Sequence, residues 1–452
     1  MPAVRIRDTL SGEVRSLDSA RPPEAGIYAC GPTVYSRIHV GNARAYVIPM
    51  LLRRLLALEG FEVSLVINVT DINDKIYAAA REAGVPSAEL ADEMTRAYVE
   101  DTDRLGLGRP DHEPLASETI PEIVALIEAL IEGGHAYESG GDVYFRVRSF
   151  PGYGKLSNRD PDQMDQGEEA GTESLKEDRL DFALWKAQKP DEDTSWPSPW
   201  GDGRPGWHIE CSAMAEKFLG AGFAVHSGGI DLVFPHHENE IAQTEAARGV
   251  PLARAWMHNG MVRVAEEKMS KSLGNIFQLS AALDRYGAET VIAYLISGHY
   301  RQPLEFSAEV LDQAAARVER IRNFALELPP DDATGADGFV AACRAEFLAG
   351  LADDFNTPRA LAAMSELIAE GNRRPLPGAR PALEEMLHLL GLDSLLAPVE
   401  AADPEAERLM AERERARSQG EFDRADQLRD DLEERGWEVR DTPDGPRLVP
   451  KG

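Results

Sequence analysis

The sequence predicts an α/β chain: a Rossmann-like nucleotide-binding domain carrying an inserted α/β domain, then a helical-bundle domain and a small C-terminal α/β appendage. Three observations predict it. Strands alternate with helices over residues 1–110, a strand-and-acidic-loop segment interrupts that alternation, and from about residue 306 the apolar spacing is helical between Pro/Gly/Asp breaks.

The first strand is GIYAC, Gly26 to Cys30. The loop PTVYSRIHVGNAR leads into an apolar helical run from Ala43 to Leu58 that Gly60 stops, and a second strand follows at Glu62 to Val69. This spacing suits a parallel sheet, whose ligands sit beyond the carboxyl ends of its strands, so Cys30 and the loop after it fall at the ligand edge. Residues 1–110 are the first half of this domain. Residues 111–200 read as the insertion, with a helix near Pro121 to Ile131, a strand from Asp142 to Val147 and an acidic, glycine-bearing loop around Asp160 to Asp178. The parent fold resumes over 201–305 with a strand AVH ending at His226, a glycine loop SGGID and a helical stretch PHHENEIAQTEAARG. The helical domain, 306–400, holds stretches from Ser307 to Leu328 and from Phe339 to Asn372, separated by PPDDATGADG; a second break, RRPLPGARP, precedes a shorter helix. The appendage, 401–452, has charge-rich helices followed by WEVRDTPDGPRLV, whose PDG reads as a tight turn between two short strands.

Composition bounds the function. With 43% hydrophobic and 28% charged residues, and no apolar run long enough to span a bilayer or to form a secretory signal, a cytosolic protein is expected. Three cysteines, Cys30, Cys211 and Cys343, give no disulfide framework and suit a reducing compartment. Cys343 lies in an apolar helical register and reads as structural. The formal charge of −30 speaks against a general nucleic-acid binder, which needs clustered Lys and Arg; only local positive charge at a binding face overcomes it.

Two constellations carry chemistry. In PHHENE, His236 and Glu240 stand four apart, aiming two donors in parallel from one helical face; His237 and Glu240 share a face more roughly. With Cys30 at a strand end and Cys211 in HIECSAM, the set becomes two thiolates, an imidazole and a carboxylate, a donor set of the kind zinc takes. The competing reading is two buried small side chains and a helix start. The second constellation is HVGN, His39 to Asn42, at a loop-to-helix junction where Gly41 permits close backbone approach and the helix start offers free N–H groups to an anion. Far downstream is KMSKS, Lys268 to Ser272, whose two lysines and two serines suit a triphosphate.

HVGN with KMSKS resembles the paired signatures of class I aminoacyl-tRNA synthetases. ACGPTVY, NVTDINDK, SWPSPWGDGRPGWHIECSAM, FPHHENEIAQ and DDFNTP resemble the cysteinyl-tRNA synthetase family in particular, over nearly the whole chain. The resemblance implies activation of L-cysteine with ATP and its transfer to the terminal adenosine of tRNA(Cys). It also implies one zinc ion held by Cys30, Cys211, His236 and Glu240, Mg²⁺ accompanying ATP, and a monomer. ATP would be bound by His39, Gly41, Asn42, Asp231, Lys268, Ser270, Lys271 and Ser272, with His39, Asn42, Lys268 and Lys271 acting on the phosphates. Thr70, Trp207 and His226 would line the cysteine pocket; His226 and Asp231 read equally as adenosine or pocket contacts. Asn42 departs from the wider class, which has a second histidine there.

Two other readings stay open on sequence. One is a ligase of the same core that joins activated cysteine to an amino sugar in thiol-cofactor biosynthesis; the appendage after Pro404 favours tRNA instead. The other is a non-catalytic binding protein, against which the intact motifs speak.

Overall fold

The computed structural model describes residues 3–17, 24–164, 174–264, 277–329, 337–396, 404–442 and 445–450. Lys268, Ser270, Lys271 and Ser272, part of the acidic loop, and the two central residues of the C-terminal turn lie outside these.

A short antiparallel ribbon, β1 (Arg5–Arg7) and β2 (Val14–Ser16), precedes the sheet. The sheet begins with β3 (Glu24–Ala29), crosses through α1 (Val40–Leu58) and returns as β4 (Glu62–Ile67), after which come α2 (Asp74–Ala83) and α3 (Ser87–Asp103). The insertion contributes α4 (Ile120–Glu132) and four antiparallel strands, β5 (Ala136–Ser139), β6 (Asp142–Phe145), β7 (Phe182–Ala187) and β8 (Gly203–Pro205), paired in that order. Then α5 (Trp207–Leu219) leads to β9 (Phe223–Gly229), α6 (Glu238–Arg248), β10 (Ala253–Asn259) and β11 (Val262–Val264). The central sheet has the order β10-β9-β3-β4 with every pair parallel.

This order locates the site before any side chain is considered. From β3 the chain steps to β4 on one side and later to β9 on the other, so the loops leaving β3 and β9 diverge and open a crevice at the carboxyl edge. Parallel strands are covered on both faces, which is why β3 reads as continuous apolar residues and not as an alternation: Ile27, Tyr28 and Ala29 are all fully buried. α1 is buried along most of its length through Val47, Ile48, Leu51, Leu52 and Leu55. The insertion shares this interior, since Ile123, Leu126, Phe145, Phe182 and Trp185 pack in one core with Tyr28, Val66, Cys211 and Trp256.

Two expectations are corrected. The expected loop SGGID is largely strand: β9 runs past His226 through Ser227, Gly228 and Gly229. Gly228 makes this possible, because a Cβ there would sit 2.7 Å from His237 Cε1. The expected single helical stretch from Phe339 to Asn372 is two helices, Gly338–Ala352 and Thr357–Gly371. Asp354 and Phe355 take left-handed conformations between them (φ 59° and 48°), and Asn356 caps the second helix by accepting from Arg359 N at 3.1 Å. Pro358 stands in the first turn of that helix, where its missing N–H costs nothing.

Asp354 repays its strained backbone with partners. Its Oδ1 accepts from Arg7 N (2.8 Å) and Tyr300 Oη (2.7 Å), and its Oδ2 from Arg301 Nε (2.8 Å), joining the first strand, the end of the sheet domain and the helical region. Tyr300 is fully buried, so Asp354→Ala leaves its hydroxyl and an amide unpaired. The expected loss is about 2–4 kcal/mol, read as a fall in Tm on the order of 5 °C in a melting experiment.

Residues 393–452 form a separate unit. Ala406, Leu409, Leu428 and Leu432 make its core, with Trp437 packed against them, so that indole is structural. The strands Trp437–Thr442 and Gly445–Pro450 pair antiparallel, as expected. Arg408 is held by Glu405 and Glu412, and Arg413 by Glu414, so the charge-rich helix expected here carries its own ion pairs. No helix among the described residues is long and apolar enough to cross a membrane.

Candidate active site and metal centre

Four of the sequence-predicted residues meet at the crevice. Cys30 follows β3, Cys211 lies in the second turn of α5, and His236 and Glu240 flank the start of α6. All are buried, with one donor atom from each lying within 4.8 Å of the others. Cys30 Sγ is 3.7 Å from Cys211 Sγ and 3.6 Å from Glu240 Oε1, while His236 Nε2 is 3.1 Å from the same oxygen. The helical path is irregular over Val233–His237 and regular from Glu238, yet the four-residue spacing still aligns His236 with Glu240.

A second grouping, Cys30, His226, His237 and Glu240, is equally compact and shares two members with the first. One ion can therefore use only one of them. In the second set His226 Nε2 meets Glu240 Oε2 at 2.8 Å and His237 Nε2 meets Cys30 Sγ at 3.3 Å, with His258 on His237 Nδ1 at 2.8 Å and on Thr9 Oγ1 at 2.7 Å, so the two sets differ in donor chemistry and not in compactness. The first set has two sulfurs, and thiolate-rich tetrahedral sets are those zinc prefers.

Burial governs the electrostatics of these donors. Burial pushes the Cys30 thiol well above its usual range, with Cys211 and Glu240 adding to the effect. The hydrogen bond from Cys30 favours the Cys211 thiolate, but burial and the nearby carboxylates outweigh it and its pKa is also raised. Burial drives His236 and His237 well below the ordinary imidazole range, and His208 and His258 down to about 3. Neutral imidazoles are ready to ligate, and a dication would deprotonate both thiols.

Sequence reasoning missed the shell around these donors. His208 Nδ1 lies 2.9 Å from His236 Nδ1, leaving His236 Nε2 to face Glu240. Trp207, which had been expected at the substrate pocket, stacks on His236 with centroids 4.3 Å apart. Thr70 is buried, its Oγ1 accepting from Asn68 Nδ2 at 3.3 Å, and Asn68 Oδ1 in turn accepts from Gly31 N at 3.0 Å, directly beside Cys30. His208, His258 and Asn68 belong to three different segments, so no local spacing could have gathered them; the one hint was the density of histidine around WHIE, PHH and MHN.

The second motif adjoins the first. His39 is the N-cap of α1: its Nδ1 accepts from Asn42 N (3.2 Å) while Asn42 Oδ1 accepts from His39 N (3.1 Å). With Nδ1 accepting, the ring proton belongs on Nε2, which becomes a donor. Burial lowers the His39 pKa. A Cβ at Gly41 would come within 2.8 Å of His39 Cε1, so only glycine fits. These residues line a cleft of about 330 Å³ together with Cys30, Trp207 and Asp231. The segment bearing Lys268–Ser272 lies outside the described residues, but its roots are at the cleft: Met261 and Val262 line it, and Phe277 stacks on His39 at 4.7 Å while its carbonyl accepts from Val40 N.

The fold and the cleft are those of a class I aminoacyl-tRNA synthetase. The family model described as "tRNA synthetases class I (C) catalytic domain" matches residues 17–316, a DALR domain model matches 346–392, and a "Cysteinyl-tRNA ligase anticodon binding domain" model matches 400–446. Methionyl-tRNA synthetase of Mycobacterium tuberculosis, solved with methionyl-adenylate, superposes with a TM-score of 0.60 at 17% identity over 85% of this chain and 92% of that one, a likeness of fold. Curated cysteine–tRNA ligases are similar over their full length: that of Halorhodospira halophila is 45% identical, covering 98% of both chains, and that of Symbiobacterium thermophilum 43%, covering 98% and 99%. The chain belongs to the cysteine–tRNA ligase family.

Proposed function

We infer that this chain is an ATP-dependent cysteine–tRNA ligase, which activates cysteine to cysteinyl-adenylate and transfers it to the 3′-terminal adenosine of tRNA(Cys). One observation carries the reading: Cys30 of a buried two-sulfur donor set lines the same cleft as His39, Gly41 and Asn42 at a capped helix start.

Cys30, Cys211, His236 and Glu240 would hold zinc, which when bound supplies a soft acceptor for the substrate's sulfur. The selectivity problem needs it, because a hydrogen-bonding or apolar pocket separates near-isosteres such as cysteine and serine by only about 100-fold. Trp207, which lines the cleft, would contact the substrate, with Thr70 on Asn68 and His226 on Glu240 completing the pocket wall. At the other end of the cleft, His39 Nε2–H and the Gly41 amide would bind ATP phosphates, the Val40 and Asn42 amides being taken by Phe277 O and the His39 cap, and Asp231 would bind the ribose. Asn42 has a mixed role: its Oδ1 is committed to the cap, leaving Nδ2 as its donor to phosphate.

The cysteine carboxylate attacks the α-phosphate and pyrophosphate leaves, so the protein's task is alignment and charge neutralisation, with Mg²⁺ on the triphosphate. Lys268 and Lys271 would neutralise the departing pyrophosphate, with Ser270 and Ser272 donating to it. Lys271→Ala is therefore expected to lower kcat for adenylate formation about 100-fold while changing the KM for cysteine little, as read by stopped-flow or exchange kinetics. Residues 306–400 and 401–452 would bind the tRNA, and the free thiols Cys30 and Cys211 suit a cytoplasmic setting.

The test is cysteine-dependent ATP–pyrophosphate exchange with serine as the control amino acid, followed by transfer to tRNA or to an aminoglycoside. Exchange with cysteine and transfer to tRNA support the reading. Transfer to the amino sugar alone would replace it, and a chain without exchange activity would not be this enzyme. The C-terminal domain match already disfavours the amino-sugar acceptor.

A further inference from the structure

Asn259 ends β10 at the carboxyl edge of the sheet, paired in register with Gly229 of β9. It is 2% exposed, and neither its Oδ1 nor its Nδ2 has a hydrogen-bond partner. Among the described residues it is the one buried amide side chain with both ends unpaired. The other carboxamides of the site are engaged: Asn68 with Gly31 and Thr70, Asn42 with His39. Buried polar groups are otherwise almost always satisfied, so a wholly unpaired amide beside a cleft marks a place for a ligand.

Its direction follows from the strand. His258 is bonded to His237 and so faces the donor cluster. Successive side chains on a strand alternate, which turns Asn259 to the opposite face, toward α1. There it lines the same cleft as His39, Gly41, Asn42 and Asp231. The backbone beside it cannot drift. Gly260 N donates to Tyr300 O (2.8 Å), Gly260 O accepts from the buried Arg44 Nη1 (2.6 Å), and a Cβ at Gly260 would meet Gln302 O at 2.3 Å. The helix-capping residues supply donors for phosphate and Asp231 an acceptor for ribose hydroxyls, so what Asn259 offers, one acceptor and one donor side by side, is left for the base.

We propose that Asn259 is a specificity-determining residue that reads the adenine of ATP, its Oδ1 accepting from the exocyclic N6 amino group and its Nδ2 donating to the adjacent ring nitrogen. A carboxamide matches adenine in this bidentate way, as it does in nucleic-acid recognition. The proposal rests on the functional reading above, which puts ATP in this cleft.

The experiment is cysteine-dependent ATP–pyrophosphate exchange with ATP and with purine riboside triphosphate, which lacks the N6 amino group. It is run on the wild-type chain, Asn259→Ala and the near-isosteric Asn259→Leu. The wild type is expected to lose about 10-fold in kcat/KM on the analogue, which removes the N6–H donor, leaves Oδ1 unpaired and keeps the ring nitrogen. Both variants, which remove both arms, should lose at least that factor on ATP, show no further loss on the analogue and keep the KM for cysteine within about twofold, the pattern of a shared interaction in a double-mutant cycle. Because the amide has no protein partner to lose, neither variant should melt below the wild type. Equal use of both triphosphates by the wild type, or an undiminished analogue penalty in the variants, would overturn the role of Asn259 while leaving the ligase reading intact. A wild-type chain without cysteine-dependent exchange would overturn both.

Discussion

Cys211→Ala is expected to lower kcat/KM for cysteine activation by about 10³-fold or more and to abolish stoichiometric zinc. The direction follows from the donor set. Cys211 is 1% exposed and its Sγ stands 3.7 Å from Cys30 Sγ, so its loss removes one of the two sulfurs of the donor set. The magnitude reflects two losses together, the metal and the substrate contact the metal provides; ligand loss is the more severe of the known classes of change at a metal site, since even outer partners cost about 10–100-fold. His208→Ala samples such an outer partner, because His208 fixes the His236 ring through their 2.9 Å contact, and it should fall in that smaller range. Metal content by plasma emission, measured beside exchange kinetics, separates these effects from misfolding. Full zinc occupancy in Cys211→Ala with normal cysteine kinetics would remove the metal from the account.

Gly41→Ala should depress kcat for adenylation about 100-fold with zinc content unchanged. The added methyl group would lie 2.8 Å from His39 Cε1 and 2.9 Å from His39 Nδ1, closer than van der Waals contact allows. The ring is not free to swing away, since it stacks on Phe277 and its Nδ1 accepts the Asn42 amide. Relief must come from breaking the reciprocal cap, which displaces the Nε2 donor and tilts the residue 41 amide. A displacement near 1 Å at a charge-stabilising donor costs about 10²-fold, whereas the zinc ligands lie on other elements. The KM for cysteine should therefore change much less than kcat. A loss confined to the KM for cysteine would contradict the assignment of this helix start to phosphate.

The legible part of this molecule was what its chemistry compresses into short strings. His236 and Glu240 could be paired from spacing alone because four residues make one helical turn, and the strand–loop–helix order placed Cys30 at the ligand edge. The join of Cys30 to Cys211, 181 residues apart, came from chemical type and resemblance; spacing could not supply it. What stayed hidden was tertiary. The outer histidines come from α5, the start of α6 and β10, and only the fold brings them together. Gly228 and Gly229 read as a loop because glycine usually punctuates, whereas here the close approach of His237 requires glycine within a strand. The break at Asp353–Asn356 was masked by apolar helical spacing on both sides, although Asn356 and Pro358 carried the restart signal. Asn42 read as a phosphate ligand, and its cap to His39 became visible only once both backbones were fixed. The acidic total of −30 decided little, since a net charge says nothing of the field at one cleft.

The most direct test of the central claim, that a soft cation selects the substrate by its sulfur, is X-ray absorption at the zinc edge on the purified chain titrated with cysteine or with serine. Two sulfur neighbours are expected before addition, three with cysteine and still two with serine. A zinc environment unchanged by cysteine would contradict it.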